Sequence, residues 1–255
     1  EMSKVRPNFL VIGAARSGTT LLHELLLQHP MIFLPKNKQP EPHFFLKSKE
    51  YEKGTSYYLK KNFSEVRSSH LAIGEISTSY LFGVDVPRRI WEFDPKMKLI
   101  CILRDPSDRA FSNYWHSRKN GFEDLTFKGA LQESQSRTKT LSKDLQEVAP
   151  FSYLERSLYD EQLKRYSKYF PVRQILVLIF EEFVLEPQKG LKEIFTFLGV
   201  ETEYEFSIST KDVNASKPKN ENIDPDLRIE LNTFFESTRK KVEDFIGRPL
   251  EVWRK

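Results

Sequence analysis

Between Gly13 and Thr20 the chain reads GAARSGTT, and these residue types at this spacing can hold an anion. Gly13 and Gly18 are separated as in G-x-x-x-x-G-K-[ST]. In that loop the backbone turns sharply and the free N–H groups of a helix's first turn face a phosphate, with the helix dipole behind them. Thr19 stands where the motif places lysine, so the cation that would bridge β- and γ-phosphates is missing, and Arg16 is the cation of the loop. The strand that could carry a magnesium-binding carboxylate, LICIL, ends in Arg104, with Asp105 one place later. Triphosphate hydrolysis is therefore a poor fit. A ligand with a single phosphate in the cradle and no metal fits better.

Two further stretches carry chemistry. In LRDPSDRAFSNYWHSRKNG, residues 103–121, Arg104 closes a strand, Asp105 is an N-cap and Pro106 takes the first helical position. Ala110, Phe111, Tyr114 and Trp115 make the core stripe, which leaves Ser112 on a flank, able to reach back toward Arg104. That pair could hold a second phosphate. In QPEPHFF, Pro40 and Pro42 exclude helix and extend the chain, so Glu41 and His43 are expected on the same side. A carboxylate and an imidazole on one face can form a base with an orienting partner.

These residues need a frame. NFLVIGA (8–14), LAIGE (71–75), KLICIL (98–103) and QILVLIF (174–180) read as buried strands. Helical patterns run from Ser17, over 85–93, 106–118, 153–169 and 187–198. The alternation predicts an α/β fold, one mostly parallel central sheet flanked by helices, with residues 1–255 forming a single domain. Residues 132–150 are polar and poorly patterned, and are expected as a surface excursion or mobile lid. A net charge of +4 on 255 residues suits an anionic ligand and is too weak to indicate nucleic acid. Apolar runs are far too short to span a bilayer. The lone Cys101 excludes an internal disulfide and fits a reducing, cytoplasmic setting, either as an enzyme alone or as a domain excised from a larger protein. His23, His29, His70 and His116 have no metal-ligand spacing with Cys101.

GAARSGTT followed by LRDPSDRAFSNYWHSRKNG resembles the paired cofactor signatures of sulfotransferases that use 3′-phosphoadenosine-5′-phosphosulfate (PAPS). EPHFF, GTSYYLKKNF, GEISTSYLF, SLYDEQLKRYSKYFP, FEEFVLEP and IFTFLGV follow in the order found in the carbohydrate, heparan-type and bacterial branch, so the likeness runs over roughly residues 8–220. The resemblance implies the three-layer sandwich of phosphate-loop nucleotide hydrolases, with PAPS as donor, PAP as product and no metal. It implies 5′-phosphate contacts from Arg16, Ser17, Gly18, Thr19 and Thr20, and 3′-phosphate contacts from Arg104 and Ser112. In VNASKPKN, Lys217 or Lys219 would add charge over the nucleotide, although the family's usual Gly and Arg are absent. Tyr159 matches a tyrosine near the cofactor, or is simply a core tyrosine.

The resemblance implies Glu41 as general base, with His43 second, and Arg16 as the electrostatic stabiliser of the leaving phosphate. The acceptor would be hydroxylated: a glycan, a hydroxyacyl chain or a small alcohol. Heparan-type relatives place a lysine where this chain has Ile76, which separates it from a heparan acceptor; Ser77 and Ser79 are expected at the cleft. Lys36, Lys38, Lys47 and Lys49 could favour an anionic acceptor or form a solvated face. A small-molecule kinase on the same loop and a non-catalytic nucleotide-binding module are the alternatives.

Overall fold

The computed structural model describes residues 5–36, 41–207 and 221–254. Its centre is a sheet of β1 (Phe9–Gly13), β2 (Ile32–Phe33), β3 (Ala72–Ile76), β4 (Lys98–Leu103) and β5 (Ile175–Ile179), in the order β2-β3-β1-β4-β5. Each neighbouring pair is parallel. All carboxyl ends therefore emerge at one edge, and β1 sits where the chain order reverses, the place where open parallel sheets collect ligands.

The four expected strands form within a residue of their anticipated limits. Continuous apolar runs make strands covered on both faces, and strand alternation divides them. Leu10, Ile12, Leu99 and Cys101 face a layer containing Tyr58, Ile90, Leu163 and Tyr166. Phe9, Val11, Ile100 and Ile102 face the opposite layer, with Leu22, Leu25, Leu191 and Phe195. These layers belong to α3 (Gly54–Phe63), α4 (Val86–Phe93) and α8 (Tyr159–Ser167) on one side, and α1 (Thr19–Leu26) and α10 (Pro187–Leu198) on the other. The three-layer α/β sandwich is as anticipated.

The remaining helices are α2 (Ser48–Tyr51), α5 (Pro106–Lys119), α6 (Phe127–Lys139), α7 (Lys143–Val148), α9 (Phe180–Leu185), α11 (Pro225–Phe234) and α12 (Glu236–Ile246). The stretch 132–150 is mostly helical and largely exposed or half-buried. α6 is capped by Thr126, which accepts from Gly129 N at 3.3 Å, and only Phe127, Ala130 and Ser134 of its residues are buried. Three inward residues on thirteen leave too faint a stripe to read. Phe127 and Ala130 join a third cluster with Phe111, Tyr114, Tyr153, Leu227 and Phe235.

Two glycines shape the edge. A side chain at Gly18, whose φ is +84°, would lie 2.7 Å from the Phe180 ring. A side chain at Gly13 would meet Thr78 O and Leu81 Cβ at 2.9 Å. The first closes β5 against the loop and the second closes the segment after β3 against it, so the glycine spacing serves packing as well as turning.

Candidate functional site

The loop after β1 leads into α1 through Gly18 in the left-handed conformation, with no side chain capping the helix. The N–H groups of the first turn are thus left for something outside the helix. Ser17 is fully buried, and its hydroxyl has no hydrogen-bond partner among the described residues. Arg16, also left-handed at φ 72°, stands beside Arg104. Burial first, and then the Arg104 charge, hold the Arg16 guanidinium below its ordinary pKa. Two neighbouring cations, an orphaned hydroxyl and an uncapped helix start form a cradle that an anion would complete. Thr19 is buried and Thr20 exposed on the same first turn.

Arg104 closes β4 as expected. Its Nη1 donates to Arg16 O at 3.4 Å, and its guanidinium stacks over Phe180 at 5.0 Å. Asp105 caps α5 by accepting from Asp108 N at 3.0 Å, and its other oxygen receives Arg239 Nη2 at 2.8 Å. The carboxylate that follows β4 is therefore engaged in holding the helix and Arg239, which weighs against a magnesium role. Ser112 lies buried on α5. Tyr159 is fully buried, and its hydroxyl donates to Arg104 O at 2.9 Å. Of the two expectations for Tyr159, the core tyrosine is the better description, with the addition that it holds the backbone that presents Arg104. Lys217 and Lys219, like Lys38, lie outside the described residues.

Glu41 and His43 do come together: His43 Nε2 is 3.4 Å from Glu41 Oε2. The route differs from simple extension. His43 is left-handed at φ 49°, so a turn, not strand alternation, brings the two side chains to one place. Glu41 accepts from Thr78 N at 2.8 Å and from Thr78 Oγ1 at 3.0 Å, which ties it to the carboxyl end of β3. Burial raises the Glu41 pKa above its ordinary value, partly offset by the Thr78 hydrogen bonds and the charges of Arg156 and Lys47. Burial likewise pushes His43 down to about 4, so the imidazole is neutral near neutrality. A desolvated carboxylate beside a neutral imidazole is suited to accept a proton.

The sequence reading missed three features. Arg156, on the turn before α8, is buried; its Nη2 donates to Ser79 Oγ at 2.9 Å and its Nη1 to Val148 O at 2.7 Å. It supplies a positive charge to Glu41, while Ile76 packs into the layer with Leu22 and Ile102. Ser77 and Ser79, expected at the cleft, are instead buried supports: Ser79 meets Arg156, and Ser77 Oγ accepts from His43 N at 3.0 Å. His116, set aside for lack of metal spacing, is exposed on α5 yet close enough for the Arg16 charge to contribute to lowering its pKa, after burial. No alternation rule could have found the contacts of Arg156 with Ser79 or of His43 with Ser77, which lie 77 and 34 residues apart.

The third feature is Glu75, fully buried on β3 and held by Tyr58, Tyr80 and Ser77 hydroxyls. Burial pushes it up to about 7 against those hydrogen bonds. The folded-state pKa is raised, so folding favours the proton. No penalty exists below the ordinary 4.5, it grows from there to about 7, and it persists above. Glu75→Gln should therefore gain stability relative to the parent as pH rises from 5 to 8, by up to about 3 kcal/mol. Urea unfolding at both pH values measures this; a constant difference would refute it.

Cys101 is fully buried, and burial pushes its thiol up to about 12. Among the described residues no group of three His, Cys, Asp or Glu could hold a metal ion, and no helix is long and apolar enough to cross a membrane.

Comparison with known proteins shows the family to which this fold belongs. The profile of the sulfotransferase domain family matches residues 6–246. The crystal structure of a sulfotransferase from Alicyclobacillus acidocaldarius is 32% identical, with a TM-score of 0.82, covering 98% of this chain and 100% of that one. The human bifunctional heparan sulfate N-deacetylase/N-sulfotransferase 3 is 29% identical over 97% of this chain and 31% of its own length. Human heparan sulfate glucosamine 3-O-sulfotransferase 5 is 28% identical over 96% of this chain and 73% of its own length. The chain thus spans about a third of the length of the bifunctional relative. A parallel sheet with an anion cradle at its switch point, a match over residues 6–246 and a close structural counterpart lead to one conclusion: the chain belongs to the sulfotransferase domain family.

Proposed function

We propose that the chain transfers the sulfuryl group of PAPS to an acceptor hydroxyl by in-line displacement. The acceptor oxygen forms a bond to sulfur while the sulfur bond to the 5′-phosphate oxygen breaks. Glu41 takes the hydroxyl proton, and Arg16 stabilises the negative charge left on PAP. Because arginine does not readily give up a proton, its help is electrostatic rather than acidic. The observation that carries the reading is the geometry of one sheet edge: the Arg16 and Arg104 cradle after β1 and β4, and the Glu41 and His43 pair tied to the end of β3 through Thr78.

The residues present fit the donor. The buried Ser17 hydroxyl, the uncapped first turn of α1 and Arg16 would take the 5′-phosphate, with Thr19 and Thr20 beside them. Arg104 and Ser112 would take the 3′-phosphate, which adenosine triphosphate lacks. The relatives are named for transfer to nitrogen as well as to oxygen, so an amine panel belongs beside the hydroxyl panel in the assay. Labelled sulfate should pass from PAPS to a hydroxylated acceptor and survive added chelator; a requirement for magnesium would favour the kinase alternative. Arg104→Ala should reduce the preference for PAP over AMP by about 10-fold or more, the loss of a charge-assisted contact. Calorimetric titration of both nucleotides measures the ratio, and an unchanged ratio removes Arg104 from the second phosphate site.

A further inference from the structure

Beneath the Glu41 and His43 turn lies a buried cluster that the transfer reading does not use. Glu75 is fully buried, as are Tyr58, Tyr80 and Ser77, its three hydroxyl partners. Tyr58 Oη and Tyr80 Oη donate to Glu75 Oε1 at 3.0 Å and 2.8 Å, and Ser77 Oγ donates to Oε2 at 2.7 Å. A buried carboxyl group in an apolar layer is costly, and a leucine of similar size would pack there at less expense. Its partners show what it supports. Ser77 Oγ also accepts from His43 N at 3.0 Å, and Tyr80 Oη also accepts from Phe45 N at 3.2 Å.

Each of these hydroxyls has one proton. Glu75 draws both protons inward, which leaves the oxygen lone pairs facing outward to receive the two backbone N–H groups of the turn. The turn needs that grip because His43 is held left-handed, a conformation that costs a non-glycine residue energy. Tyr58 differs in one respect: it bonds Glu75 but neither N–H group of the turn. Its ring stacks on Phe44 at 4.3 Å, and that contact does not depend on its hydroxyl.

We infer that Glu75 is a positioning residue for the transfer step, gripping the backbone of His43 and Phe45 through Ser77 Oγ and Tyr80 Oη and so fixing where Glu41 and His43 stand. This rests on the reading of Glu41 as base. The charged group that acts on Glu75 is Glu41, with Tyr58 from α3 and Tyr80 from the segment after β3 as the titratable groups packed against it.

The test compares three single substitutions that each remove one hydroxyl from the cluster. Ser77→Ala and Tyr80→Phe release an N–H of the turn and should lower kcat about 10- to 100-fold, the scale of a misplaced catalytic group. KM for PAPS and the thermal shift given by PAP should stay within about twofold, since the cradle is untouched. Tyr58→Phe deletes a hydrogen bond to the same carboxylate oxygen and should keep kcat within about threefold, while losing less stability than Tyr80→Phe, which also leaves Phe45 N without its acceptor. Equal kcat in the two tyrosine variants, or parental kcat in Ser77→Ala, overturns the inference. Glu41→Gln assayed in parallel separates the two readings. If it is slow while Ser77→Ala and Tyr80→Phe are normal, only the positioning role falls; if it is fast, the base assignment falls and the positioning role with it.

Discussion

Arg16→Ala should lower sulfuryl transfer about 100- to 1,000-fold while leaving the fold intact, the range seen when one preorganised stabiliser of developing charge is removed. The expectation follows from where Arg16 stands. It is the cation of a loop whose usual lysine position is Thr19, so no other loop side chain can take its place. Burial and the adjacent Arg104 make its charge costly, and a phosphate bound beside it would relieve that cost. The charge that builds on the leaving oxygen strengthens the interaction further, so the loss should appear in kcat more than in KM. Arg16→Lys should recover part of the rate, because a point charge remains while the planar fork is lost. A parental rate for Arg16→Ala, measured with labelled PAPS, would remove Arg16 from the mechanism.

Much of this frame is legible without coordinates, for identifiable reasons. Strands covered on both faces are nearly uniform apolar runs, so KLICIL and QILVLIF announce themselves, and β4 falls on its anticipated residues. Asp105-Pro106 marks a helix start because its capping chemistry is local, and Asp105 indeed accepts from Asp108 N. What escaped detection is short, weakly amphipathic or non-local. β2 has two residues and no period to read. α6 buries three of thirteen residues, and α11 buries only Leu227 and Leu231. At the site, the nearness of Glu41 to His43 was legible, but the left-handed turn that achieves it was not. Arg156 and Glu75 escaped for a stronger reason. A buried charge is recognisable only by its partners, and neither the 77 residues between Arg156 and Ser79 nor the 17 between Glu75 and Tyr58 follow a helix or strand period.

The position of Ile76 illustrates how such a partner can change a functional inference. A missing lysine suggests a missing charge at the acceptor, yet Ile76 fills the layer with Leu22 and Ile102 while Arg156 approaches Glu41 from another element. Burial holds the Arg156 pKa down to about 10, so the side chain remains a cation near neutrality. Its hydrogen bonds to Ser79 and Val148 fix it in place without cancelling its charge, because both acceptors are neutral. Positive charge therefore reaches Glu41 from the turn before α8, with Lys47 adding to it.

Glu41→Gln should lower kcat about 100- to 10,000-fold, the contribution of a positioned general base, with PAP affinity nearly unchanged. The amide keeps the size of the carboxylate, and its oxygen can still accept from Thr78 N and Thr78 Oγ1, so the turn should hold its shape. What disappears is the capacity to take a proton. The pH dependence gives the sharper test. A base works ionised, and burial raises the Glu41 pKa above its ordinary 4.5, so parental kcat should climb with pH through a midpoint above that value. His43, pushed down to about 4, is neutral throughout this climb and adds no opposing limb. The Gln variant should lose the acid limb, leaving a flat residual rate. If the limb persists in Glu41→Gln, another group takes the proton, and His43 is the first to examine because its Nε2 lies 3.4 Å from the same carboxylate. If the variant instead binds PAP far more weakly, Glu41 acts on the nucleotide and its assignment as base is wrong.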